Sequence, residues 1–110
     1  MQLILTKNLC VGDLIRKIAI GHERTILMIN DKKKLIGVVT QGDILRAIWN
    51  GAELQSSAEI CINYNPLTLN EADLPEVAIR MFAETGALVI PVVDATRQVI
   101  REINVRDLVN

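Results

Sequence analysis

The 110-residue chain has almost no aromatic residues: one Trp, one Tyr and one Phe, 3% of the composition. Its 50% apolar content must therefore build an aliphatic core of Ile, Leu and Val, which suits sheets packed on helices. A length of 110 residues is one domain's worth, so the parts of the chain must share a core. An excess of one charge is also missing. Twelve Lys and Arg against thirteen Asp and Glu leave a net charge of −1, which argues against a nucleic-acid partner held by phosphate neutralisation. No apolar run approaches about 20 residues, so no stretch is long enough to span a membrane as a helix. The two cysteines, Cys10 and Cys61, lack metal-ligand spacing. The start Met1-Gln2-Leu3-Ile4-Leu5 lacks the basic segment and long apolar stretch of a signal peptide. Together these absences lead to the expectation of a cytoplasmic protein with reduced thiols. The single histidine, His22, lies beside Glu23 and Arg24 with no nucleophile near it in sequence, and is read as a surface cap. No acid–base pair, metal constellation or activated nucleophile emerges, so an enzyme is not expected.

What the chain does have is one pattern used twice. Leu5 to Trp49 and Leu67 to Val109 each read as β-α-β-β-α, which predicts an α/β (α+β) fold of two repeats packed with pseudo-twofold symmetry. The expected boundaries are 1–51 for the first repeat, 52–64 for a connector and 65–110 for the second. Val11, Leu14, Ile15 and Ile18 recur at i, i+3, i+4, i+7, the apolar stripe of a helix. Thr25 to Ile29 and Leu35 to Thr40 read as strands flanking a turn whose three lysines suggest a solvated hairpin. Gly42 to Trp49 reads as a helix with Ile44, Leu45 and Ile48 on one face, stopped by Asn50-Gly51. In the connector, Glu59 to Ile62 suggests a short helical turn. The second copy repeats the order with a helix on Leu74, Val77, Ala78, Met81 and Phe82, strands over Ala87–Val93 and Gln98–Asn104, and a last helix from Val105. Aligning the copies pairs Val11 with Leu74, Ile18 with Met81, Asp31 with Asp94 and Asp43 with Asp107. Pro91 falls inside a strand, where its missing N–H demands an edge, a strand start or a bulge. Trp49 is expected to pack at its helix end or at a subunit contact, and Cys10 and Cys61 as small apolar residues.

The motif that could carry chemistry is Thr40-x-x-Asp43, at a strand-to-helix junction. A helix start offers unpaired N–H groups and partial positive charge, suited to a phosphate, and the Thr hydroxyl adds a donor. An ionised Asp is acceptor-only, so it suits the two hydroxyls of a ribose. Thr-x-x-Asp is equally close to a capping box, by which a helix satisfies its own end. Both readings stand at the level of sequence, and they are not exclusive. In the second copy, Asn104-x-x-Asp107 is likewise a cap.

The order β-α-β-β-α twice, the Pro91-Val92-Val93-Asp94 segment and Gly37-Val38-Val39-Thr40-Gln41-Gly42-Asp43-Ile44 resemble the cystathionine-β-synthase (CBS) domain, as a tandem pair. Gln41 to Gly51, followed by Tyr64-Asn65-Pro66-Leu67-Thr68, is similar to the CBS pair that precedes sugar-phosphate nucleotidyltransferase domains. The resemblance implies a regulatory module that binds AMP, ADP, ATP or S-adenosylmethionine between the repeats, with no cofactor required. It implies that Asp43 holds the ribose and Thr40 the phosphate side, against a wall of Ile62, Asn65, Leu67, Ala87 and Leu88. A weaker second site would use Asp107 with Ile4, Arg24 and Thr25. It departs from the family pattern, because Arg101 stands where Gly is common and Asn104 where Thr or Ser is common. The resemblance further implies a homodimer formed through the helices, and a nucleotidyltransferase as attached or partner protein. The alternative is a ligand-free module whose role is dimerisation.

Overall fold

The computed structural model describes residues 3–5, 8–21 and 24–108; His22, read above as a cap, lies outside the described residues. Contacts divide the chain into two compact units, one of Met1–Asp31 and Ile36–Pro66, the other of Lys32–Leu35 and Leu67–Asn110. The fold is mixed α and β in both.

The first unit runs β1 (Leu3–Leu5), α1 (Val11–Ile20), β2 (Thr25–Ile29), β3 (Leu35–Thr40), α2 (Gln41–Trp49) and a 3-10 turn (Ala58–Cys61). The bounds of β2 and β3 are those read from the sequence. The sheet order is β1-β2-β3, and β1 pairs parallel to β2 with Ile4 opposite Met28. Parallel neighbours need a crossover, and α1 supplies it. Its stripe is buried through Val11 and Leu14, which pack with Ile26, Met28, Val39, Ile44, Ala58, Cys61 and Ile62. Full burial of a side chain the size of Leu14 contributes about 1.5–3 kcal/mol, so this aliphatic cluster replaces the missing rings. On α2 only Ile44 of the expected face is buried; Leu45 and Ile48 are 60% and 43% exposed. Trp49 is 89% exposed, so it is not packed at the helix end.

The connector acts as a clamp on α1. The Val11 and Gly12 N–H groups donate to Ser56 O and Leu54 O, both at 2.9 Å, and Ala58 N–H donates to Leu9 O at 2.9 Å. Two of the orphan donors of the helix start are satisfied in this way. Beyond the 3-10 turn the chain crosses β3. Val38 N–H donates to Asn63 O at 3.0 Å and Asn63 N–H donates to Val38 O at 2.9 Å. The crossing is tight at Gly37: a Cβ there would lie 2.4 Å from Asn63 O and 2.6 Å from Ile62 Cγ2. Only glycine permits this approach without a shift of backbone.

The second unit runs β4 (Leu69–Asn70), α3 (Glu76–Thr85), β5 (Val89–Val93), β6 (Val99–Asn104) and a 3-10 turn (Val105–Leu108). Its core is Leu69, Ala78, Ile90, Val92, Ile103 and Val105. The sheet order is β4-β5-β6, so Pro91 sits in the central strand. It is tolerated because β4 pairs only with Val92 and Val93, which leaves β5 a local edge at Pro91, and because the β6 ladder shifts register between Val92 and Val93. Helix α3 starts one residue after Pro75, while Asp73 Oδ2 accepts from Asn70 N–H at 2.8 Å. It ends at Gly86, whose φ of 80° is the left-handed conformation that glycine supplies at helix ends.

Two expectations are corrected in this unit. The last helix from Val105 is a single 3-10 turn. Asn104 Oδ1 accepts from Arg106 N–H at 3.0 Å, an N-cap bond to the second residue of that turn, so Asn104 caps it as the sequence suggested. The lysine turn is also more than a solvated hairpin. Its Lys32 and Lys33 side chains are exposed, but its backbone bonds to the β5–β6 turn. Gln98 Nε2 donates to Lys32 O at 2.8 Å, Val99 N–H to Lys33 O at 3.3 Å, and Leu35 N–H to Arg97 O at 3.0 Å. Lys32–Leu35 therefore belongs with the second unit although its sequence lies in the first repeat.

The Gly37 crossing yields a prediction. Gly37→Ala should destabilise the protein by about 1–3 kcal/mol in urea denaturation, the range for overpacking against atoms that cannot retreat. A change below about 0.5 kcal/mol would show that the crossing segment yields freely.

Candidate functional site

The site begins where β3 becomes α2. Thr40 is the last residue of the strand and the N-cap of the helix, with φ −106° and ψ 165°. Its hydroxyl accepts from Asp43 N–H at 3.2 Å and donates to Asp43 Oδ2 at 2.9 Å, and its N–H donates to Oδ2 at 2.8 Å. The capping box left open by the sequence is therefore formed. The other carboxylate oxygen, Oδ1, accepts from Arg46 Nη2 at 2.6 Å. The Asp43 side chain is only 18% exposed, whereas Arg46 is 70% exposed. A carboxylate fixed by three bonds at a helix start is also favoured by the helix dipole.

The connector approaches this carboxylate from the side. Burial pushes the Cys61 thiol above its ordinary pKa, and the charge of Asp43 raises it further, so Cys61 is within electrostatic reach of Asp43. Ile62 is buried in the same unit. Asn65 is exposed, and its N–H donates to Asn63 Oδ1 at 3.0 Å. Thr40, Asp43, Ile62 and Asn65 thus share the first unit. Leu67, Ala87 and Leu88 lie in the second, Leu67 and Leu88 at 37% and 36% exposure. Ala87 N–H donates to Thr85 Oγ1 at 3.2 Å, and Leu88 O accepts from Val105 N–H at 2.8 Å.

Of the second set, Ile4, Arg24 and Thr25 are in the first unit, and Arg101, Asn104 and Asp107 in the second. Arg24 Nη1 donates to Gln41 Oε1 at 2.6 Å, and Arg24 O accepts from Gln41 N–H at 3.1 Å, so this residue braces the start of α2. Arg101 and Asp107 are exposed, and Asn104 is engaged with Arg106.

Two residues were not singled out from the sequence for the roles they take. Arg46 is one; its i, i+3 spacing from Asp43 is the signal that marks it. Cys10 is the other. It caps α1, its N–H and Sγ donating to Asp13 Oδ2 at 2.9 and 3.3 Å, while Arg16 lies 3.6 Å from Oδ1. Cys10, Asp13 and Arg16 thus repeat the arrangement of Thr40, Asp43 and Arg46. The two starts differ in what surrounds them. At α1 the connector carbonyls occupy the Val11 and Gly12 donors. At α2 the Gln41 N–H is bonded, but the Gly42 N–H meets no carbonyl among the described residues. The α1–α2 face holds a separate cavity of about 610 Å³, walled by Ile15, Ile18, Ile44, Leu45 and Ile48 with Arg24 and Gln41. No group of three or more metal-binding side chains occurs among the described residues, and no helix among them is long and apolar enough to cross a membrane.

A family model for the CBS domain matches residues 11–50, a stretch that contains Thr40, Asp43 and Arg46. The matched stretch lies within the first repeat. The whole chain takes the fold of a CBS domain pair. It superposes with a TM-score of 0.84 on a CBS domain protein from Pyrobaculum aerophilum complexed with AMP, at 20% identity over 99% of this chain and 85% of that one. The CBS domain pair of protein MJ0100, in complex with 5'-methylthioadenosine and S-adenosyl-L-methionine, gives a TM-score of 0.82 at 18% identity, over 97% of this chain and 87% of that one. The cytosolic domain of the Mg2+ channel MgtE, in complex with ATP, gives 0.79 at 18% identity over 97% of this chain; the match spans 43% of that chain. No curated protein sequence matches. The matched residues include the strand-to-helix junction with Gly37 before it and Asp43 after it.

The caps make a prediction about acid. Hydrogen bonds from the Cys10 backbone and then its thiol hold the Asp13 carboxyl below the ordinary value, against an opposing effect of desolvation. A folded-state pKa below the unfolded one gives stability that is present above about pH 4 and lost as pH falls through the folded value. Asp13→Ala should therefore cost stability at pH 7 and cost distinctly less at pH 2.5, measured by urea denaturation. An equal loss at both values would mean that the carboxylate charge plays no part.

Proposed function

We propose that this protein is a regulatory, non-catalytic module that binds an adenosine nucleotide at the start of α2. The observation that carries this reading is the Asp43 carboxylate, mostly buried and held by Thr40 and Arg46 at a helix start. Its acceptor-only chemistry suits the two hydroxyls of a ribose. Thr40 would border the phosphate side while its hydroxyl stays on Asp43, and Ile62 and Asn65 of the same unit would lie toward the base. The match of residues 11–50 to the CBS domain supports the reading, as do the adenosine compounds named with solved structures of the same fold. The start at Asp107 is the weaker of the two, because Asn104 stands in place of Thr and its Oδ1 is already engaged as a cap on Arg106 N–H. In this reading the module works in the cytoplasm and controls an attached or partner protein, of which a sugar-phosphate nucleotidyltransferase is the candidate.

A thermal-shift panel of AMP, ADP, ATP and S-adenosylmethionine tests the reading. At 100 times its dissociation constant the ligand should add about 2.7 kcal/mol to the stability of the folded state. Asp43→Ala should lose that shift while remaining folded by circular dichroism. A wild type that shows no shift with any of the four at millimolar concentration would remove the proposal.

A specific observation favours a second role, homodimerisation. Ile20, Leu45, Ile48 and Trp49, on or at the ends of α1 and α2, are 76%, 60%, 43% and 89% exposed. Adjacent exposed apolar residues of this kind mark a surface that is covered in use. Light scattering should give a dimer, and Leu45→Glu with Ile48→Glu should give a monomer of unchanged circular dichroism. A wild-type monomer at 100 μM, a roughly saturating concentration for micromolar association, would count against it.

A further inference from the structure

We propose that Arg46 sets ligand choice in this site, by exchanging its Asp43 partner for a phosphate of the bound nucleotide. The inference rests on the reading of Asp43 as the ribose acceptor.

A carboxylate has about four acceptor positions. At Asp43, Oδ2 takes two bonds from Thr40 and Oδ1 takes one from Arg46. A ribose donates two hydroxyls, so the carboxylate receives both fully only when Arg46 leaves. The Thr40 bonds are fixed by the capping geometry, and the Arg46 bond is the one that can yield. Its guanidinium is on the surface, where an ion pair contributes little net stability.

The position of Arg46 says where it goes. A Cβ on Gly42 would lie 3.4 Å from Nη1 and 3.8 Å from Nη2, so the guanidinium rests over the first turn of α2, beside both Thr40 and Asp43. Once displaced, it keeps its charge and its planar fork of donors. A phosphate on the same nucleoside matches that fork; a neutral substituent leaves it without an anion. The site therefore prefers nucleoside phosphates to uncharged nucleosides. Removing Arg46 also relieves competition for Asp43, so the variant should act in opposite directions on the two classes. A residue that only supported the helix would weaken both alike.

Calorimetric titration of AMP and adenosine into wild type and Arg46→Gln tests this. Wild type should bind AMP roughly 10- to 100-fold more tightly than adenosine, the range of one charge-assisted hydrogen bond. In Arg46→Gln the gap should close to about threefold or less, with adenosine affinity unchanged or raised. As a reading that needs no variant, wild-type affinity for AMP should fall as salt rises from about 0.05 to 0.5 M, and that for adenosine should not. An unchanged gap in Arg46→Gln, an equal loss for both ligands, or salt-independent AMP binding would overturn the role of Arg46 while leaving the nucleotide site standing. Absence of binding by both ligands to wild type would overturn the site itself, and this inference with it.

Discussion

The close crossing of the connector over β3 is the constraint on which the first unit depends. Without a side chain at Gly37, Asn63 exchanges two backbone hydrogen bonds with Val38. That pairing places Ile62 in the core and brings Cys61 within reach of Asp43. The same connector, a few residues earlier, covers the start of α1 with the carbonyls of Leu54 and Ser56. One segment without a long element of its own thus closes the core, occupies one helix start and flanks the other. The equivalent position in the second repeat is Arg101, exposed and paired with Val92, so the repeats share a topology without sharing this crossing.

Helix starts show how a common local device is adapted to two uses. Cys10 with Asp13 and Thr40 with Asp43 satisfy the same donors by the same geometry. Each Asp has an Arg one turn further on. The difference lies in their surroundings. Carbonyls fill the space at α1, whereas at α2 a half-buried carboxylate lies beside a Gly42 N–H that meets no backbone carbonyl among the described residues. The chemistry of a site is set here less by the motif than by what the rest of the chain leaves around it.

Much of the fold is legible in the sequence because its signals are local. Alternating and continuous aliphatic runs mark Thr25–Ile29 and Leu35–Thr40, and the stripe from Val11 marks α1. Pro91 announced an edge or a bulge, and the short β4 and the register shift meet that demand. The 3-10 form at Val105 was not legible, since a cap such as Asn104 starts a 3-10 turn and an α-helix alike. The site was legible as a pattern and ambiguous as chemistry, because a capping box and a ribose acceptor use the same Thr and Asp at the same spacing. Arg46 carried a helical-spacing signal. The role of Cys10 had none, since cysteine is a rare cap, and its thiol was taken for a small apolar group.

The turn at Lys32–Leu35 bears on how such a protein can be divided. Lys32 O, Lys33 O and Leu35 N–H are partners of Gln98, Val99 and Arg97, although more than half the sequence separates them. A fragment holding only the second repeat would leave those backbone groups without their partners, and a fragment holding only the first would expose the complementary set. Polar backbone groups stripped in this way must be hydrated again or left unsatisfied at a cost. Gene fusion or loss that respects the sequence repeat would therefore cut through a hydrogen-bonded seam, which makes the pair, and not the single repeat, the portion that can be transplanted into another protein intact.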